Sequence, residues 1–189
     1  MGGRKTEAII VGGEALFSGG VGESATVCDD AKELLDQLQK SKYLLALVSG
    51  KVRSEIDAVL KASGLDGVFD VIVSCEDFGG RQLEDLMDFP WKFAFDKLEG
   101  VRWGREIKNG GRSASKPYCR YRAERALVLT GSTREAEGAV MSGMNVVRVG
   151  ETNGDEGLRS PNVDLLVDNV VSSLADLVGK RVNQWLRGS

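Results

Sequence analysis

Short, mainly apolar runs alternate with amphipathic stretches along this chain, and that alternation constrains the fold more than any other feature. Ala8-Ile9-Ile10-Val11, Leu44-Leu45-Ala46-Leu47-Val48, Phe69-Asp70-Val71-Ile72-Val73, Ala126-Leu127-Val128-Leu129 and Asn145-Val146-Val147-Arg148-Val149 read as strands, as does the run from Val163 to Val167. Between them, residues 29–40, 52–63, 133–142 and 170–186 read as helices, with Leu34, Leu35 and Leu38 on one face and Ile56, Val59 and Leu60 on another. Gly64 is placed to end the second helix. Strands with so little polar alternation are buried on both faces. The order strand, helix, strand, helix therefore predicts a parallel sheet between two helical layers, a single α/β domain over 1–189. Such a sheet gathers its working loops at the carboxyl ends of its strands, here after Val11, Val48, Val73 and Leu129.

One segment breaks the rhythm. Residues 79–115 read as a small insertion, and Trp91 to Phe95 alternate as a strand would, with Val101 to Ile107 as its hairpin partner and Asn109-Gly110-Gly111 as a turn. Between 91 and 125 ten Lys and Arg face four acids, a local +6 within a chain of net charge −3. Basic and aromatic side chains mixed in this way suit a protein interface or a single-stranded nucleic-acid groove. Trp91, Trp103, Arg102, Arg105, Arg120 and Arg122 are the candidate partner-binding residues. The plainer expectation is a solvated edge whose aromatic rings pack on the core.

Composition excludes several chemistries. The chain has no histidine, which removes Ser-His-Asp triads, Cys-His pairs and His-ligated zinc. Its three cysteines, Cys28, Cys75 and Cys119, are widely spaced and form no CxxC pair, so reduced thiols are expected. No apolar run is long enough to span a bilayer, and no membrane association is expected. The expected compartment is the cytoplasm, or an organelle interior if a transit segment was removed. The glycines around 19–22 are followed by polar loop residues rather than a helix, which argues against a dinucleotide-binding turn.

The four converging loops carry the chemical information. They are Gly12-Gly13-Glu14-Ala15-Leu16-Phe17, Ser49-Gly50, Lys116-Pro117 and Thr130-Gly131-Ser132-Thr133-Arg134-Glu135. In order and context they resemble the motifs of the haloacid dehalogenase (HAD)-like superfamily, particularly its phosphoglycolate-phosphatase and beta-phosphoglucomutase-like branch. LLDQLQKSKYLLALVSG, LKASGLDGVFDVIVSCED and SGMNVVRVG extend the likeness, which covers roughly residues 7–78 and 113–178. It implies a three-layer, Rossmann-like α/β/α core. Only one helix's worth of chain separates Phe17 from Ser49, so no large cap is expected.

The resemblance also implies what has been lost. The family's first motif, Asp-x-Asp-Gly-Thr-Leu, supplies a nucleophilic aspartate that takes the phosphoryl group and a second that acts as general acid/base. Here those positions are Gly12 and Glu14. The fourth motif supplies magnesium-binding aspartates, and here those positions are Gly131 and Glu135. Ser49 and Lys116 stand where the family holds phosphate oxygens, so a remnant phosphate site is expected there, unless the two are unused relics. No intact catalytic residue, metal site or cofactor is expected. The resemblance thus implies an inactive hydrolase-like domain that acts as a protein-binding or scaffold subunit. Two alternatives stay open: a phosphohydrolase with an altered, Mg²⁺-dependent site, and nucleic-acid binding through the basic segment.

Overall fold

The computed structural model describes residues 6–18, 25–108, 123–150, 169–171 and 173–177. A six-stranded parallel sheet forms the middle layer. Its strands are β1 (Ala8–Gly12), β4 (Leu44–Val48), β5 (Val71–Val73), β6 (Ala126–Thr130), β7 (Asn145–Val149) and β8 (Asn169–Val171), in the order β5-β4-β1-β6-β7-β8. β1 is central, in register with β4 from Ala8↔Leu44 to Gly12↔Val48 and with β6 from Ala8↔Ala126 to Val11↔Leu129. The first loop therefore lies between the loops that leave its two neighbours. A separate two-stranded antiparallel pair, β2 (Phe17–Ser18) and β3 (Thr26–Val27), stands beyond that first loop.

The strand periodicity divides the core in two. Ile9, Val11, Leu45, Leu47, Leu127 and Leu129 face one layer, built by α2 (Asp29–Lys40), α3 (Arg53–Ala62) and a turn of 3₁₀ helix at Leu174–Leu177. Ala8, Ile10, Ala46, Val48, Val128 and Val146 face the other, built by α4 (Phe89–Lys108) and α5 (Thr133–Met141). Small residues on this second face let α4 lie close to the strands. α3 ends as its glycine requires: Gly64 has φ +72°, and Leu65 N–H donates to Leu60 O at 2.8 Å.

Two expectations are corrected. Residues 91–107 are no hairpin but the body of α4, a 20-residue helix that serves as a layer of the sandwich rather than an insertion. Trp91, Ala94, Phe95 and Leu98 recur at helical spacing and are all buried, whereas Phe93, which created the apparent two-residue alternation, packs at the periphery against Phe78 and Phe89. Pro90 in the first turn is compatible with the helix because the N–H it lacks would have no partner there. The second correction concerns the expected helix from 170. There the chain is β8, an edge strand beside β7, tied to Gly150 N–H through Val171 O at 2.9 Å. Val171, Leu174 and Leu177 are buried at a three-residue spacing that looks helical in sequence. Within the proposed last helix, Leu174–Leu177 form a turn of 3₁₀ helix. The strand proposed at 163–167, residues 172 and 178–186 of that helix, and residues 109–122 with Lys116, Arg120 and Arg122 lie outside the described residues.

The basic segment is largely neutralised where it is described. Lys97 pairs with Asp77 at 3.0 Å, Arg102 with Glu7 at 2.8 Å and Glu99 at 2.6 Å, and Arg125 with Glu7 at 2.9 Å. Lys92 pairs with Asp88, and Arg105 with Asp70. Glu99 lies on α4 itself and Asp88 just before it, but Glu7, Asp70 and Asp77 come from elsewhere in the chain, so the positive charge visible in sequence helps pin α4 to the sheet.

Candidate functional site

The carboxyl ends of β1, β4 and β6 meet as the parallel topology requires. β1 ends at Gly12, and the chain turns at once into α1 (Gly13–Leu16), a single turn whose Ala15 and Leu16 are buried. β4 ends at Val48, and Ser49 follows, 3% exposed. Its N–H donates to Val73 O at 3.0 Å, and its Oγ accepts from Lys51 N–H at 3.3 Å. β6 ends at Thr130, whose hydroxyl is buried and finds no partner among the described residues. Ser132 then caps α5, its Oγ accepting from Glu135 N–H at 3.2 Å.

The glycines of these loops are packed against. Neither Gly12 nor Gly131 has left-handed backbone, and Gly12 sits at φ −73°, ψ 145°, open to any residue. What excludes a side chain is space. A Cβ on Gly12 would stand 2.3 Å from Glu135 Oε2, one on Gly13 2.7 Å from Ser49 Oγ, and one on Gly131 2.2 Å from the carbonyl carbon of Glu14. The first meets the tip of a flexible side chain, the last meets main chain. The β1–α1 turn thus passes over the point from which a residue at 131 would project.

Glu135 is the centre of this arrangement. From the first turn of α5 its carboxylate reaches back, Oε2 accepting from Gly131 N–H at 3.0 Å and Oε1 from Glu14 N–H at 3.4 Å. It fills the space above Gly12 that an aspartate there would need. The Glu14 side chain is exposed at the rim. Beside this centre opens a cleft of about 260 Å³. Gly13, Ser49, Lys51, Arg134 and Glu135 line its polar end, and Phe17, Leu83, Met87, Pro90 and Trp91 its apolar wall.

The structure brings Gly12, Glu14, Ser49, Gly131 and Glu135 together. Trp91 is corrected as a partner anchor: it is 4% exposed, a core residue that also lines the cleft. Arg102 and Arg105 are engaged in ion pairs on α4, and Trp103 is half-buried. Sequence reasoning missed Lys51, Arg134 and the apolar wall. Lys51 and Arg134 follow directly on two of the motif loops and could have been found there. The wall depends on α4, which was read as strand.

Comparison with known proteins fits this geometry. Residues 18–83 match the family model described as haloacid dehalogenase-like hydrolase. Similar solved structures include a dehalogenase (22% identity, TM-score 0.56, covering 82% of this chain and 56% of that one). CbbY from Rhodobacter sphaeroides in complex with phosphate is 16% identical, with TM-score 0.58, covering 85% of this chain and 60% of that one. A HAD family hydrolase from Deinococcus radiodurans R1, with bound phosphate and sodium, is 18% identical, with TM-score 0.54, covering 86% and 62%. The fold is haloacid dehalogenase-like. No curated protein matches the chain by sequence. The chain spans 56% of the length of the dehalogenases and 60% of CbbY. The family match begins after Glu14 and ends before Gly131, so of the motif positions discussed it contains only Ser49.

The resemblance implies a magnesium site, and the described residues at the strand ends do not fit one. Mg²⁺ demands a near-octahedral shell of oxygens. Gly131 offers no side chain, the centre of the site presents two N–H donors, and Glu135 is turned onto them. Two carboxyl groups, one on α4 and one in the turn after β5 that α4 packs against, are displaced from their ordinary range. Burial pushes the Asp77 carboxyl up, but the Ser74 N–H and the Lys97 ammonium together outweigh it and hold the group below its ordinary 3.8. Glu99 is raised above its ordinary 4.5 by burial, against the pull of Arg102.

Proposed function

We propose that this chain is a HAD-like domain that has given up phosphoryl transfer and acts by binding, as a subunit or scaffold for another protein. One observation carries the reading: at the end of β1, where the resemblance puts an attacking carboxylate, there is a glycine, and the space beside it holds the carboxylate of Glu135. A glycine cannot attack phosphorus, and a carboxylate already bonded to Gly131 and Glu14 N–H is poorly placed to do so or to ligate a metal. The main chain of Glu14 further occupies the position of a ligand at 131. That Gly12 stands at the nucleophile position comes from the resemblance, while the packing of Glu135 and the Glu14 main chain around it is this chain's own.

Two of the similar structures were determined with phosphate bound, so loss of turnover is the property to test. The purified chain is expected to release no p-nitrophenol from p-nitrophenyl phosphate with Mg²⁺ beyond what the Glu14→Ala variant releases. Magnesium-dependent release that disappears in Glu14→Ala would overturn the reading and favour a phosphohydrolase with an altered site.

A further inference from the structure

We infer that Glu135 is an internal occupant of an oxyanion seat, a built-in contact that closes the site of this domain to free anions. The seat consists of the Gly131 N–H, the Glu14 N–H and the volume left open by the absent side chain of Gly12, with the buried Ser49 close by across Gly13. Its donors come from different loops, one after β6 and one in the turn after β1, and converge on one carboxylate. Backbone N–H groups aimed at a common point form a concavity that prefers negative charge. A carboxylate bound there is a charge-assisted partner, stronger than a neutral one. The occupant is also sterically matched: its Oε2 lies 2.3 Å from where a Cβ of residue 12 would be, so the glycine at 12 leaves the carboxylate room in this position.

The consequence is a domain whose anion seat is satisfied within the chain. An external oxyanion must expel Glu135 and then meet its displaced negative charge. Removing that side chain should leave two unsatisfied donors around a vacant, positively polarised volume. The proposal deepens the non-hydrolytic reading but is tested separately from it, because binding is read without turnover.

Inorganic phosphate is the probe, titrated by calorimetry at constant ionic strength into the native chain, Glu135→Ala and Glu135→Gln. Glu135→Ala is expected to bind phosphate about tenfold or more tightly than the native chain, while Glu135→Gln, which keeps the volume filled, stays near native. Equal affinity in the native chain and Glu135→Ala, or no binding by a folded Glu135→Ala, would overturn the proposal. A second measurement needs no variant: in the native chain the Gly131 and Glu14 amide protons should both move with one carboxylate titration by NMR as pH falls. If neither does, the seat does not hold the carboxylate and the proposal fails. Phosphate binding without hydrolysis by Glu135→Ala would leave the non-hydrolytic reading intact, whereas hydrolysis by the native chain would remove that reading whatever the titration shows.

Discussion

Gly131→Ala should be the most damaging single-methyl addition among the described loops of this protein. The added Cβ would lie 2.2 Å from Glu14 C, 2.3 Å from Glu14 O and 2.6 Å from Ala15 N. Ordinary contact between such atoms is about 3.5–4.0 Å, so main chain must part by more than about 1 Å. The β1–α1 turn has little freedom to move, because Gly12 is in register with Val48 and Ala15 and Leu16 are buried in the core. Overpacking of this kind costs about 1–3 kcal/mol, occasionally more, and the upper end is expected here. Gly12→Ala makes an equally short contact, 2.3 Å, but with the carboxylate tip of Glu135, which can swing away. Its cost is the charge-assisted bond to Gly131 N–H, about 1.5–3 kcal/mol at most, partly offset because alanine suits φ −73°, ψ 145° and stiffens the unfolded chain. The assay is urea unfolding of both variants in the native and Glu135→Ala backgrounds. Glu135→Ala should erase the penalty of Gly12→Ala and leave that of Gly131→Ala, giving a coupling energy for the first pair of about 1–2 kcal/mol. A Gly131→Ala variant as stable as the native chain, or a Gly12→Ala penalty unchanged without Glu135, would refute the packing argument.

Two further expectations concern α4. Gly100 and Gly104 lie inside this helix with open space around the position of an added Cβ, so Gly100→Ala and Gly104→Ala should each raise stability by about 0.5–1 kcal/mol, read as the shift in urea midpoint. Asp77 joins the 3₁₀ turn after β5 to α4 through Ser74 N–H and Lys97. Because its folded pKa lies below the ordinary 3.8, the stability it contributes is present above that value and is lost as pH falls through the folded pKa. Thermal melts from pH 6 down to pH 2 should therefore fall less steeply for Asp77→Asn than for the native chain, and parallel profiles would contradict the assignment.

Much of the frame is legible in the chain because it rests on local pattern. Apolar runs bounded by Gly12-Gly13, Ser49-Gly50 and Gly131 read as strands and proved so, and the order of elements forces their carboxyl ends together. α4 was not legible because its aromatics at 91, 93 and 95 satisfy a two-residue period, while only the sheet selects the helical stripe of Trp91, Ala94, Phe95 and Leu98. β8 was missed for the converse reason: Val171, Leu174 and Leu177 carry a helical spacing, and pairing with β7 makes the first of them strand.

The sequence alone determined that this chain has a glycine where the family it resembles keeps a nucleophile, since residue identity needs no coordinates. What fills the place of that side chain was decided only by tertiary structure. Glu135 is far from Gly12 in sequence, and a glutamate in the first turn of a helix ordinarily points to solvent or completes a cap. Only the parallel ladder of β6 beside β1 sets that turn against Gly12, and only then does the carboxylate find two N–H groups and a vacant volume. A side chain's task follows from its neighbours, and in a parallel sheet the neighbours at a strand's end come from distant parts of the chain.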